Sequence, residues 1–251
     1  MQRTTHGHRR PDSNRTVARI VGVLFLSAFF AYGGGTALLA TIPEGAGHLS
    51  SIAADSGPLR AGAILMLLNS FVVAAIGVLL LGVARPHGEG IAFGYLGARL
   101  VESVVLAVGV VFLLLQVPLG RELQESGAAG GAQLQALSTL AIQGNASAYQ
   151  VAMVALGIGS VPFWYLFYRA RLVPRLLAAW GIVGYAVFVA GSVAELRGLE
   201  VGLLLSLPAG LFEVAVGIWL IVKGFSARTT LAASAEEAAT LPADGPMAVA
   251  T

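Results

Sequence analysis

Long apolar runs separated by short polar segments dominate this chain. Six runs reach the length of about 20 mostly apolar residues that a helix needs to cross a bilayer. The runs are Val17–Ala40, Leu59–Ala84, Ile91–Val117, Ala148–Tyr168, Leu176–Ala194 and Val201–Val222. Proline, glycine and charged residues gather between them, as expected at helix boundaries. The pattern predicts an all-α fold, an integral membrane bundle of six transmembrane helices.

Composition agrees with this prediction and excludes several kinds of site. Hydrophobic residues make up 57% of the 251 residues and charged residues 11%, whereas soluble domains carry roughly 25% charged residues. There is no cysteine, so disulfides and thiolate metal sites are excluded. The four histidines, His6, His8, His48 and His87, all lie outside the runs. We therefore expect no enzymatic activity, no cofactor and no metal site, and a net charge of +2 gives no reason to expect a nucleic-acid partner.

The distribution of basic residues predicts the orientation of the spans. Eleven basic residues fall on the side of the termini: Arg3, Arg9, Arg10, Arg15, Arg19, Arg85, Arg169, Arg171, Arg175, Lys223 and Arg228. The opposite side has three, Arg60, Arg121 and Arg197. This asymmetry predicts that both termini are cytoplasmic, in a cell inner membrane. Trp164, Trp180 and Trp219 fall near the same predicted interface, where tryptophan is favoured.

The two ends of the chain differ from the middle. Residues 1–14 form a polar, basic segment and residues 226–251 an Ala, Thr, Ser and Pro-rich one, so both are expected to be disordered tails around a six-span domain at 15–225. The first run is longer than a signal-peptide core and is expected to remain as an uncleaved anchor. The segment from Pro118 to Ser147 is either a Gly-rich loop or a surface helix with Leu134, Leu137, Leu140 and Ala141 on one face.

Three charged residues interrupt the apolar runs and are the candidate functional residues. Arg99 and Glu102 lie in the third run and Glu213 in the sixth. At 1.5 Å per residue, both glutamates lie about 16–18 Å deep, near the middle of a hydrocarbon core about 30 Å thick. Arg99 and Glu102 are three residues apart and so share a helix face. Because a charge inside the membrane is costly, such groups are usually paired, turned inward or functional.

Two interpretations of this charge cluster remain open. In the first, the protein has a structural or interaction role and the cluster locks the third and sixth helices together. In the second, it is a small-molecule or proton-coupled transporter, with Glu102 and Glu213 as proton or cation ligands and Arg99 as their charge partner. Pro162 and Pro208, inside two of the runs, are compatible with the interrupted helices of transporters and with ordinary kinks.

A second candidate site lies in the short turn between the fourth and fifth runs. Arg169, Arg171 and Arg175 occur there within seven residues. Such a cluster at the cytoplasmic face can bind anionic lipid headgroups or simply determine topology. The lipid bilayer is thus the expected partner, with a possible anionic lipid contact at these residues. Nothing in the pattern indicates a protein partner.

Several stretches resemble a bacterial membrane family known as domain of unknown function 4386. They are Arg15–Gly22, Gly97–Glu102, Trp164–Arg169, Arg171–Leu177 with Trp180–Gly181, and Glu213 with Trp219–Gly224. The resemblance extends over residues 15–225, and Arg171–Leu176 is its most specific part. It implies about six membrane spans and, as the name of the family states, no assigned activity.

Overall fold

The computed structural model describes residues 11–126, 131–199 and 201–226, which are helical with short connections and contain no strand. Eight α-helices follow one another along the chain: α1 (Pro11–Leu39), α2 (His48–Ala54), α3 (Gly57–Ala84), α4 (Glu89–Leu114), α5 (Gln116–Ser126), α6 (Gly131–Ala170), α7 (Arg175–Leu196) and α8 (Gly202–Val222). Single 3₁₀ turns precede α2 and α4. The predicted all-α fold is confirmed.

Six of these helices are long and apolar enough to cross a membrane, namely α1, α3, α4, α6, α7 and α8. They pack as a closed ring, in which each helix contacts the next in chain order and α8 returns to contact α1. We call the side where α1 begins and α8 ends the terminal side, and the side that carries α2 and α5 the distal side. Large apolar side chains such as Phe30, Phe71 and Leu176 are exposed on the outer surface, which is compatible with contact with a lipid bilayer.

The helix ends follow from local sequence. Pro58 occupies the first turn of α3, where its missing N–H leaves no helical hydrogen bond unmade. Gly198, at φ +84°, ends α7 in a Schellman motif. Its N–H bonds the Glu195 carbonyl at 2.8 Å, and the Leu199 N–H bonds the Ala194 carbonyl at 3.1 Å. Gly224, at φ +74°, ends α8 in the same left-handed conformation.

The fourth span is much longer than its apolar run. With 40 residues, α6 measures about 60 Å, twice the thickness of the hydrocarbon core, so its first part extends beyond the membrane on the distal side. The alternative of a Gly-rich loop is therefore wrong for residues 131–147, which are helical. The expected shared face is only half correct: Leu134 and Ala141 are buried, whereas Leu137 and Leu140 are exposed.

Two further details differ from the sequence-based expectations. Trp164 does not face lipid headgroups: its side chain lies in the protein core, 1% exposed. Aromatic rings of α6 and α8 surround it, since Phe163, Phe167 and Phe212 have centroids 4.7–5.6 Å from its own. The first helix begins at Pro11, so residues 11–14 belong to α1 rather than to the tail; proline is well suited to the first helical position. The rest of both predicted tails, 1–10 and 227–251, lies outside the described residues.

Candidate intramembrane site

Ring closure brings the three intramembrane charges together. Arg99 Nη1 lies 2.9 Å from Glu102 Oε2 and 3.3 Å from Oε1, one turn along α4. Both side chains are almost fully buried, 2% and 3% exposed. Since an unpaired buried charge is far costlier than a paired one, this contact stabilises both residues at membrane depth.

The surroundings of Arg99 explain how its guanidinium is accommodated. Its Nε donates a hydrogen bond of 2.8 Å to the Tyr95 hydroxyl, and its Cζ lies 5.3 and 5.7 Å from the ring centroids of Tyr95 and Phe25. Gly77 of α3 leaves the room that the Arg99 stem fills, because a Cβ there would lie 2.8 Å from Arg99 Cβ. Cation–π contact and hydrogen bonding together replace much of the hydration that the cation loses.

Glu213 is held differently from Glu102. Its Oε1 accepts a hydrogen bond of 2.5 Å from the Tyr185 hydroxyl of α7 and lies 3.6 Å from Arg99 Nη2. This nitrogen is buried and has no hydrogen-bond partner in the described part of the chain, so the approach of Glu213 is an ion pair without a direct hydrogen bond. The Glu213 side chain is also 22% exposed. It is the more accessible of the two glutamates.

A cavity of about 220 Å³ explains the exposure of Glu213. All six ring helices line it, with Phe25, Tyr32, Asn69, Glu102, Tyr185 and Glu213 among the side chains at its wall. It extends from the charge cluster toward the distal side, between Tyr149 of α6 and Gly210 of α8. The centre of the bundle is thus an aromatic-walled space with a charged end.

A second, much smaller space lies beyond the first. It has about 10 Å³ and is lined by Asn145, Gly109 and, in common with the cavity, Tyr32 and Tyr149. Since one water needs roughly 10–15 Å³ of such volume, this space has room for a single water. The stacked rings of Tyr32 and Tyr149, 5.1 Å apart, lie between the two spaces.

Sequence reasoning identified the charges of this site but not its polar and aromatic partners. Tyr95, Tyr185 and Asn69 were missed, although each is a polar residue inside an apolar run. A hydroxyl or amide at membrane depth needs a partner, and this is the signal that would have found them. Gly77 carried no signal, because its role depends on the neighbouring helix.

The second candidate site is a compact turn on the terminal side. Arg169 lies in the last turn of α6, Arg171 has φ +52° and Arg175 begins α7. All three are exposed, while Leu172 and Val173 between them are buried. The Leu172 carbonyl accepts a hydrogen bond of 3.0 Å from the Ser226 N–H, so the segment that follows α8 holds the turn. All three arginines are therefore exposed in or beside one turn on the terminal side.

No group of three metal-ligating side chains occurs within residues 11–126, 131–199 and 201–226. Six apolar spans around a buried charge cluster and a cavity define a multi-pass integral membrane protein. The chain belongs to the family described as Domain of unknown function (DUF4386), which matches residues 20–224. No curated protein matches it, and no solved structure does. The family has no assigned function, so any activity must follow from the residues of the site.

Proposed function

We propose that the protein is a proton-coupled small-molecule transporter whose exchangeable group is Glu213. One observation carries this proposal: the cavity of about 220 Å³ in the middle of the bundle reaches the Glu213 carboxyl. Ionisable groups that face an internal space at membrane depth commonly mark proton or substrate pathways. A cluster that served only to pack helices would not need such a space.

The two interpretations of the charge cluster then apply to different residues. Arg99 and Glu102 form the structural part, because their side chains are only 2% and 3% exposed and lie 2.9 Å apart as a direct ion pair. Glu213 forms the functional part, because it is partly exposed and reaches Arg99 only at 3.6 Å. Tyr185 positions Glu213 through its hydroxyl.

The balance of charge favours a monovalent ligand at Glu213. The described cavity wall holds one cationic side chain, Arg99, and two carboxylates, Glu102 and Glu213. Arg99 neutralises one of them, and the second carries an uncompensated charge unless it binds a proton or another cation. The water-sized space beside Tyr149 and Asn145 offers a proton a path toward the distal side.

A pH step applied to the reconstituted protein on a solid-supported membrane tests this role with the proton as the only ligand. The wild-type protein is expected to show a transient charge displacement, because the proton moves part of the way across the membrane to reach Glu213. Glu213→Gln should abolish the displacement. Glu122→Gln should leave it unchanged, since Glu122 is exposed on α5.

The proposal is wrong if the wild-type protein gives no more current than protein-free liposomes. It is also wrong if Glu213→Gln retains the wild-type signal. Size-exclusion profiles of all three proteins in detergent show whether the variants are folded, so a lost signal can be assigned to the carboxyl.

We also propose that the protein resides in an inner (cytoplasmic) membrane with both termini in the cytoplasm, and that it is not an enzyme. The arginine distribution supports the orientation, and Arg169, Arg171 and Arg175 would then face the anionic cytoplasmic leaflet and bind its headgroups. Reporter fusions at the C-terminus check the orientation.

Replacing the three arginines by glutamine should reduce the stabilisation of the detergent-solubilised protein by phosphatidylglycerol. Unchanged stabilisation would contradict the lipid contact.

A further inference from the structure

We infer that the ligand of the cavity is a small amphiphilic amine, bound as its ammonium ion. The amine enters from the bilayer between α1 and α8. This inference rests on the proposed function. Three features lead to this conclusion: the polar groups left free at the charged end, the aromatic wall, and the place where the ring of helices is open.

The charged end offers acceptors to a cation. Both described contacts of Glu213 involve Oε1, which leaves Oε2 available to a ligand. Asn69 of α3 lies in the same wall and is 95% buried, given its exposure of 5%. Its amide makes no hydrogen bond within the described residues. Because Asn69 lines the cavity, its amide oxygen can accept a hydrogen bond from an ammonium group.

The rest of the cavity wall suits the apolar part of a ligand. Tyr32, Tyr149, Tyr185 and Phe188 line the space together with aliphatic side chains, and aromatic rings attract cations through their faces. A volume of about 220 Å³ is many times the roughly 10–15 Å³ of such volume that one water needs. The cavity therefore fits a molecule with one ring and a short amine chain, and it is too small for a phospholipid.

The seam between α1 and α8 is closed on the terminal side and open on the distal side. A Cβ at Gly22 would lie 2.5 Å from the Gly217 carbonyl oxygen, whereas a Cβ at Gly33 or at Gly210 would meet nothing within 4 Å. Phe29 and Gly33 line the cavity and are both exposed. The gap between α1 and α8 thus joins the cavity to the bilayer.

Two other routes are narrower. The seam between α7 and α8 is tight along its length, because a Cβ at Gly184 would lie 3.2 Å from the Pro208 carbonyl oxygen and one at Gly191 2.6 Å from Leu205 Cβ. The space beside Asn145 has room for one water. An organic molecule therefore has the α1–α8 gap as its path, whereas a proton can use the water-sized space.

Binding is tested with 2-phenylethylamine and its neutral isostere 2-phenylethanol, through the melting temperature of the purified full-length protein in detergent. The amine should raise the melting temperature and the alcohol should not. Because hydrogen bonds to charged groups are strong, Glu213→Gln should weaken amine binding about tenfold or more. Asn69→Leu, which removes the free amide at similar size, should weaken it less. Equal stabilisation by amine and alcohol would overturn the assignment to a cation.

The route is tested by the kinetics of tritiated 2-phenylethylamine binding in a scintillation proximity assay. Gly210→Leu places a side chain in the gap and should slow association and dissociation together, by about tenfold, if the gap is the path. Gly97→Leu is the matched control, since Gly97 is exposed on α4 and its Cβ would also meet nothing within 4 Å. Equal rates for the two variants would overturn the lateral route.

The two proposals fail in different ways. Suppose that the pH step displaces charge through Glu213, but the amine neither binds in the scintillation proximity assay nor raises the melting temperature. The proton-coupled role then stands and the ligand assignment is wrong. If the charge displacement is also absent, both are wrong. Amine binding that survives Glu213→Gln at full strength contradicts the ligand site, whatever the pH step shows.

Discussion

Substituting Arg99 by glutamine should destabilise the protein severely, and this prediction follows from the geometry of a single pair. Arg99 donates to Tyr95 at 2.8 Å and to Glu102 at 2.9 Å, and both charged side chains are almost fully buried. Glutamine is shorter and uncharged, so it leaves the Glu102 carboxylate buried without a counter-charge. Removing one partner of such a pair costs about 3–5 kcal/mol.

The expected change in melting temperature follows from this energy. For a chain of 150–250 residues, each kcal/mol corresponds to about 2–4 °C, so Arg99→Gln should melt about 6–20 °C below the wild-type protein. The assay is thermal unfolding in one detergent, followed by loss of the monodisperse size-exclusion peak.

Arg85→Gln is the matched control. It breaks an ion pair of 2.8 Å between Arg85 and Glu89 whose side chains are 62% and 60% exposed, and such exposed pairs contribute about 0–1 kcal/mol. Glu213→Gln should also change stability by less than about 1 kcal/mol, because an amide oxygen can still accept the Tyr185 hydrogen bond.

Two results would refute this reasoning. If Arg99→Gln and Arg85→Gln have the same melting temperature, the buried Arg99–Glu102 pair is not a source of stability. If Glu213→Gln melts as early as Arg99→Gln, the three charges form one structural unit, and the division into a structural pair and a functional glutamate is wrong.

Two further predictions concern packing away from the charges. Gly22→Ala should cost about 1–3 kcal/mol through overpacking against the Gly217 carbonyl, whereas Gly33→Ala should be neutral or slightly stabilising; equal melting temperatures would contradict the close approach of α1 and α8. Gln116 and Ser138 bond each other at 2.6 and 3.0 Å in a buried contact between α5 and α6, so Gln116→Leu should cost about 1–3 kcal/mol. Urea unfolding of the single and double variants with Ser138→Ala should show their coupling, and additive effects would argue against it.

Much of the fold was predictable from the sequence because the bilayer imposes strong local rules. A helix must satisfy its own backbone and must be apolar over about 20 residues, so each span is visible in its own segment. The length of α6 was not predictable in this way, because Leu134 and Ala141 of its first part are buried against other elements rather than in lipid. Trp164 shows the same limit: its side chain suits an interface, and only the packing of Phe212 and Phe167 around it decides that it is core.

The sequence by itself determined the number of spans and the presence of three charges near the middle of the membrane, because hydropathy and spacing are properties of each segment alone. It also determined that Arg99 and Glu102 meet, since three residues along a helix separate them by less than one turn. Only the tertiary structure decided that α8 closes the ring against α1 and brings Glu213 to Tyr185 and Arg99. It also decided that a cavity remains beside Glu213, because a cavity depends on how six helices pack around it.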